Sequence, residues 1–239
     1  MAKAADPSPP SRKRRPVRRF FRALVLWPVV LVLGFYVVCA GALLLMRFAP
    51  PPITSVQVQR HVEALFEEGD FEFRYDWVPL DRISDHAEHA VVAAEDTRFY
   101  EHDGIDFVEL EKAREEARRR GTAPRGASTI TQQLVKNLFL TTHRSYVRKA
   151  LELPLALLAD LILPKERILA LYLNTIEWGP GVFGIEAAAQ YHYGVAAADL
   201  SREQAARLAA VVPAPRSRRP QNMGSYAGVI QRRMWQMGW

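Results

Sequence analysis

Glu95 closes the apolar run Ala90-Val91-Val92-Ala93-Ala94 and is followed by Asp96-Thr97-Arg98-Phe99-Tyr100-Glu101-His102-Asp103-Gly104-Ile105-Asp106. A carboxylate at the rim of an apolar wall is penalised when charged, so its pKa rises toward the range that suits general acid or base work. Taken alone, the same stretch also fits a solvated, charged helix end. A second stretch, Gly126-Ala127-Ser128-Thr129-Ile130-Thr131-Gln132-Gln133-Leu134-Val135-Lys136-Asn137, starts with small and hydroxyl-bearing residues. A helix that starts this way turns free N–H groups and its dipole outward and favours an anion. Ser128, Gln132 and Lys136 recur every four residues and share a face, with Gln133 and Asn137 beside them. That face lacks acids, which suits a phosphate-bearing ligand better than a merely solvated surface. A third group comprises Arg144, Arg148, Lys149 and Glu152. Arginine grips phosphate oxygens through paired N–H groups, although an Arg–Glu pair four residues apart is also an ordinary feature of surface helices.

Other chemistries find little support. His86 and His89 lie three residues apart, but no cysteine and no second histidine pair completes a zinc site. His102 and His192 read as packed or capping residues. The phosphate-loop lysine motif is absent. Cys39 is the only cysteine and lies within an apolar run, so the sequence beyond it has neither disulfide nor cysteine chemistry.

The elements that must position these residues are mostly helical. Apolar periodicity predicts helices near 55–68, 84–97, 106–119, 129–139, 144–162, 165–174, 183–192, 202–212 and 224–237. Thr129 and Gln132 fit a capping box that starts the second stretch's helix, and the alternation in Phe71–Trp77 suggests a short strand. The segment 165–174 reads as scaffold, the glycines of 178–184 as a tight loop, and 118–126 as a basic loop. The whole is mainly α, with one domain.

Charge is distributed unevenly. The first 22 residues carry eight Lys and Arg against one acid, whereas the chain as a whole has a net charge of +6. The remainder is therefore close to neutral, which argues against a nucleic-acid-binding face on the domain. Residues 23–46 contain no charge, and 24 helical residues reach about 36 Å, enough to cross a hydrocarbon core of about 30 Å. The organisation expected is a basic cytoplasmic tail at 1–22 (unstructured to about residue 18), a transmembrane helix at 23–46, a membrane-proximal linker at 47–77 and a domain at 78–239. The basic flank predicts that the N-terminus stays in the cytoplasm. A cleaved signal peptide fits less well, because its apolar core would be shorter.

These blocks, in this order, resemble the peptidoglycan glycosyltransferases (glycosyltransferase family 51), and within them the monofunctional biosynthetic transglycosylases of Gram-negative bacteria. The resemblance rests on Glu95-Asp96-x-x-Phe99-x-x-His102-x-Gly104-x-Asp106, on Gly126 to Gln133 with Lys136-Asn137, on Arg148-Lys149-x-x-Glu152, and on Lys165-x-x-Ile168-Leu169-x-x-Tyr172-Leu173-Asn174. It runs from about Val78 to Pro215. It implies a lysozyme-like, two-lobed domain anchored once in the inner membrane and facing the periplasm. There, lipid II would be polymerised into β-1,4 glycan with inversion and release of undecaprenyl pyrophosphate.

By the same resemblance, Glu95 would be the general base and Glu152 a second essential glutamate that orients the donor or helps to hold a divalent ion. Lys136 and Arg144 would contact pyrophosphate, with Arg148 and Lys149 nearby, and Ser128, Gln132, Gln133 and Asn137 would line the cleft. Mg2+ or Mn2+ is the cation implied; no organic cofactor and no nucleic acid is. Partners would be lipid II, the growing lipid-linked glycan, the membrane and other proteins of cell-wall synthesis or division. One position departs from the pattern: Val195 stands where relatives keep a lysine that helps to stabilise the leaving group. Ser-x-x-Lys, Ser-x-Asn and Lys-Thr-Gly are absent, so no cross-linking activity is expected. A lysozyme-like hydrolase is the nearest rival, since it too would use a cleft glutamate.

Overall fold

The computed structural model describes residues 15–66, 72–123 and 126–239, with side chains from residue 26 onward. The chain divides into two compact units, Met1–Cys39 and Ala40–Trp239.

Helix α1 (Arg15–Met46) begins inside the stretch expected to be unstructured, and residues 1–14 of the basic tail lie outside the described residues. Its segment Leu26–Met46 is long and apolar enough to cross a membrane. Beyond Met46 its end is tied down. Arg167 donates to the carbonyls of Met46 and Ala49, each at 2.7 Å, and Arg47 donates to the carbonyl of Ile162 at 2.9 Å. Cations at a helix C-terminus satisfy carbonyls that have no partner within the helix and complement its dipole.

Within the second unit the helices form two packed groups. The first is α3 (Asp85–Glu95) against α9 (Arg202–Ala209) and α10 (Gly224–Gln236). The three helices bury small residues, Ala87, Ala90, Ala205, Ala206, Ala209 and Ala227, alongside larger ones such as Val91, Leu208 and Ile230. Ser84 starts α3 by accepting from the His86 N–H, and Asp85 and Glu88 place negative charge in its first turn. The second group is α5 (Ile130–Phe139) against α2 (Ser55–Ala64), α6 (Tyr146–Ile162) and α7 (Lys165–Thr175). Every residue of α7 from Ile168 to Thr175 is buried, so the segment read as scaffold runs through the interior. The segment 47–77, expected as a linker, contains α2. That helix sits on α5, with Ser55 donating to the carbonyls of Asn137 and Leu140, and Gln59 bonded to Thr142 at 2.7 Å.

Helix α4 (Phe107–Arg120) starts on the Asp106 side chain and ends on Gly121 in the left-handed conformation. Helix α8 (Ile185–Tyr193) ends the same way on Gly194, immediately before Val195. The strand suggested for 71–77 is limited to β1 (Arg74–Tyr75), and Phe71 lies outside the described residues. β1 pairs in parallel with β3 (Val182–Phe183), which pairs antiparallel with β2 (Glu177–Gly179), giving the order β1-β3-β2. The glycine-rich segment 178–184 is therefore a small hairpin. Gly184 follows it at φ 82°, and a Cβ there would lie 2.9 Å from the Asn174 carbonyl oxygen, so only glycine fits.

Candidate active site

Helix α3 delivers Glu95 at its last residue, and the N-terminus of α5 lies opposite. Thr129 and Gln132 form the expected capping box, each side chain bonded to the other's backbone N–H at 3.1 Å. The Thr129 hydroxyl also donates to the Gly104 carbonyl at 2.6 Å. Asp96 accepts from the Ile130 N–H at 3.0 Å and pairs with His102 at 3.0 Å. The residue next to Glu95 therefore fastens the first group's active end to the start of α5. Arg233 of α10 donates to the carbonyls of Ala93 and Ala94 at 3.2 and 3.4 Å and closes the last turn of α3 from behind.

The Glu95 carboxylate accepts from Gln133 Nε2 at 2.6 Å, and Gln133 Oε1 accepts from the buried Tyr172 hydroxyl at 2.8 Å. Burial pushes the Glu95 carboxyl above its ordinary range, and Asp96 adds to the rise. The Gln133 bond and the positive charges of Lys136 and Arg218 pull the other way. The net effect is a carboxyl whose proton is held more tightly than usual, the property sought in a general base or acid working near neutrality.

Glu95 lines a cavity of about 480 Å³ with Asp96, Thr97, Asp106, Ser128, Arg233 and others, and a second one with Ser128, Gln133 and Tyr226. A third, of about 430 Å³, shares Ser128 and Gln133 and continues to Lys136, Asn137, Arg144 and Arg148, with Arg60 on its wall. Through Ser128 and Gln133 the carboxylate and the basic cavity belong to one cleft. Burial depresses the Lys136 ammonium, with Arg148 and Lys149 acting in the same direction and Glu152 and Glu95 opposing. A half-buried cation beside two more cations favours an incoming anion, whose charge would relieve the crowding.

The third sequence group comes together as a clamp. Glu152, 3% exposed, bonds Arg148 through one oxygen and Lys149 through the other, each at 2.5 Å. Arg148 also donates to the His143 carbonyl at 2.8 Å, and Lys149 to the Ser128 hydroxyl at 3.2 Å. Glu152 thus fixes two cations at the edge of the cleft. Arg144 is exposed at the mouth of the basic cavity. Gln132 is buried and committed to its cap, so of the stripe Ser128-Gln132-Lys136 only Ser128 and Lys136 line the cavities described. Val195 lines none of these cavities.

Sequence reasoning did not single out Arg218, Arg233 or the hydroxyl of Tyr172 as site residues. Arg233 reaches α3 across 140 positions, a separation without any local pattern. Tyr172 sits in an apolar helix and reads as core, which its ring is.

Mg2+ or Mn2+ does not find an open set of ligands among the described residues. Asp96, His102 and Asp106 place ligand atoms within 4.8 Å of one another. However, Asp96 is taken by His102 and the Ile130 N–H, and Asp106 by Arg98 at 3.1 Å and the Glu109 N–H at 2.8 Å. A divalent ion would have to share that space with the Arg98 guanidinium. Glu152 is occupied on both oxygens by cations.

The transglycosylase family model matches residues 62–238 of the chain. The chain is 45% identical over 226 residues to the biosynthetic peptidoglycan transglycosylase of Pseudomonas entomophila, covering 93% of this chain and 92% of the relative. It is 46% identical over 230 residues to the protein of that name from Pseudomonas putida, with the same coverage. The mainly α, lysozyme-like domain with Glu95 at its cleft is that of an enzyme, and the chain belongs to the transglycosylase family.

Proposed function

We propose that the chain polymerises lipid II into β-1,4 glycan strands, with inversion at the anomeric carbon and release of undecaprenyl pyrophosphate, and that it does not cross-link them. The observation that supports this reading is the shared cleft: a carboxylate with a raised pKa at one end and a basic cavity at the other, joined at Ser128 and Gln133.

In its ionised form Glu95 takes the proton of the acceptor's sugar 4-hydroxyl. The oxygen attacks the anomeric carbon of the lipid-linked donor from the face opposite the pyrophosphate. The bond to the pyrophosphate oxygen breaks, and the α-linkage becomes β. Lys136, Arg144 and Arg148 meet the charge that develops on the leaving group, and Glu152 holds Arg148 and Lys149 in place for it. Ser128, Gln133 and Asn137 line the path between the two centres, and Gln132 serves by capping the helix that presents them. Leaving-group stabilisation is assigned to these cations, with no part for Val195.

The apolar helix would span the inner membrane once, with the basic tail in the cytoplasm and the domain in the periplasm, where a lipid-linked substrate reaches the cleft by diffusing in the bilayer. Incubation with lipid II and, separately, with finished glycan tests the reading. Polymer from lipid II, blocked by moenomycin, is the expected result. Cleavage of glycan without polymerisation would assign the cleft to a hydrolase instead.

A further inference from the structure

We propose that Tyr172 is a positioning residue for this reaction: its hydroxyl fixes the Gln133 side chain so that the amide nitrogen, and not the amide oxygen, faces Glu95. The proposal rests on the reading of Glu95 as the base.

The geometry is a three-member chain. The Tyr172 hydroxyl donates to Gln133 Oε1 at 2.8 Å, and Gln133 Nε2 donates to the Glu95 carboxylate at 2.6 Å. Asn137 Nδ2 donates to the Gln133 backbone carbonyl at 2.8 Å and holds that residue from the next turn. A glutamine amide presents an acceptor at one end and donors at the other. Rotated by half a turn, Gln133 would set its oxygen against a carboxylate and its NH2 against the tyrosine. Two acceptors would then face each other, and the Tyr172 proton would be buried without a partner, at the cost of an unmade hydrogen bond in the interior. Tyr172 is 0% exposed, and α7 holds it rigidly among fully buried neighbours. Burial, with the charges of Glu95 and Asp96, also pushes the phenol well above its ordinary value, so it remains a neutral donor wherever the enzyme works.

The amide thereby favours the ionised form of Glu95. The other charged groups facing that carboxylate are Lys136 from α5, Arg218 from the segment after α9 and the neighbouring Asp96, and Arg233 from α10 reaches the carbonyl of Ala94. All of these remain when the Tyr172 hydroxyl is removed. The change expected is therefore confined to the donor: with the amide no longer oriented, Glu95 holds its proton to higher pH. Because the base works when deprotonated, the acid limb of the rate profile moves upward, while the alkaline plateau, where Glu95 is ionised in any case, is retained.

The test is lipid II polymerisation by the full chain across about pH 5 to 9 for wild type, Tyr172→Phe, Gln133→Met and the double variant. Tyr172→Phe is expected to lower the rate about 5-fold more on the acid side than on the plateau. A loss equal at every pH, or an unmoved limb, overturns the proposal. Gln133→Met removes the same donor, and with it the acceptor of the Tyr172 proton, but keeps the tyrosine itself in the core; it moves the same limb upward, so the test does not depend on Tyr172→Phe folding well. In that background Tyr172→Phe adds no further shift, and a further shift overturns the proposal. Glu95→Gln, assayed alongside, separates the two readings. A polymerising Glu95→Gln removes the base assignment, whereas an inactive Glu95→Gln beside an unmoved Tyr172→Phe limb removes only the role of Tyr172.

Discussion

A half-buried carboxylate that must ionise to work is a costly choice for folding, and Glu95 is expected to leave a trace in stability. Its folded pKa is raised by burial, so between the ordinary value of 4.5 and the raised value the native state holds a proton that the unfolded chain has lost. Stability therefore falls as pH rises through that window, and the deficit persists above it. Glu95→Gln keeps the shape without the charge. We expect this variant to unfold at higher urea than wild type near neutrality and to match it below about pH 4. Urea titrations at the two pH values check this, and equal midpoints at both would mean that burial does not penalise the carboxylate. Glu152 contrasts with it, because both of its oxygens are met by cations. The two glutamates thus differ physically: burial raises the pKa of one, and cations engage both oxygens of the other.

Among the elements, α5 bears most directly on the cleft, because its N-terminus sets where Ser128, Gln133 and Lys136 lie. Thr129→Ala removes the cap on Gln132 N–H and the bond to the Gly104 carbonyl. We expect a stability loss of about 1–2 kcal/mol, read by chemical denaturation, with a fall in polymerisation as the cleft lining loosens. This capping box was legible in the sequence, since it needs only two residue types at a fixed spacing. The helices of the domain were legible too, to within a few residues, because their apolar periodicity is strong, whereas α1 starts at Arg15, inside the stretch expected to be unstructured. Strands of two and three residues leave no such trace. β2 and β3 flank Pro180-Gly181 and read as loop, and only Arg74–Tyr75 of the alternating 71–77 stretch finds a partner. The site was legible where its residues are neighbours along one helix, as in Arg148, Lys149 and Glu152. It was hidden where the fold brings distant residues together, as with Arg233 on α3, Arg218 near Glu95 and Tyr172 behind Gln133. Gln132 illustrates the converse. Periodicity put it on the ligand face, but its side chain turns back to the cap.

At the scale of the whole molecule, the charge is sorted along the chain. The excess of Lys and Arg lies in the first 22 residues, directly before an uncharged run of 24. A basic flank before an apolar helix is the arrangement that would orient it across a membrane, and it leaves the domain's own cations to be placed at the cleft. Replacing Arg12, Lys13, Arg14, Arg15, Arg18, Arg19 and Arg22 with neutral residues is expected to reduce the fraction of chains with an exported domain. Protease accessibility in spheroplasts measures that fraction, and an unchanged value would place the orienting signal elsewhere. On the proposed reading, Glu95 abstracts the proton that lets one lipid-linked sugar attack another. The most direct measurement of it is the product formed from purified lipid II by wild type and by Glu95→Gln under identical conditions. Long β-1,4 glycan, digestible by lysozyme, with release of undecaprenyl pyrophosphate is expected from the wild type, and neither product from Glu95→Gln despite intact folding. Glycan of comparable yield from the folded Glu95→Gln protein would contradict that reading.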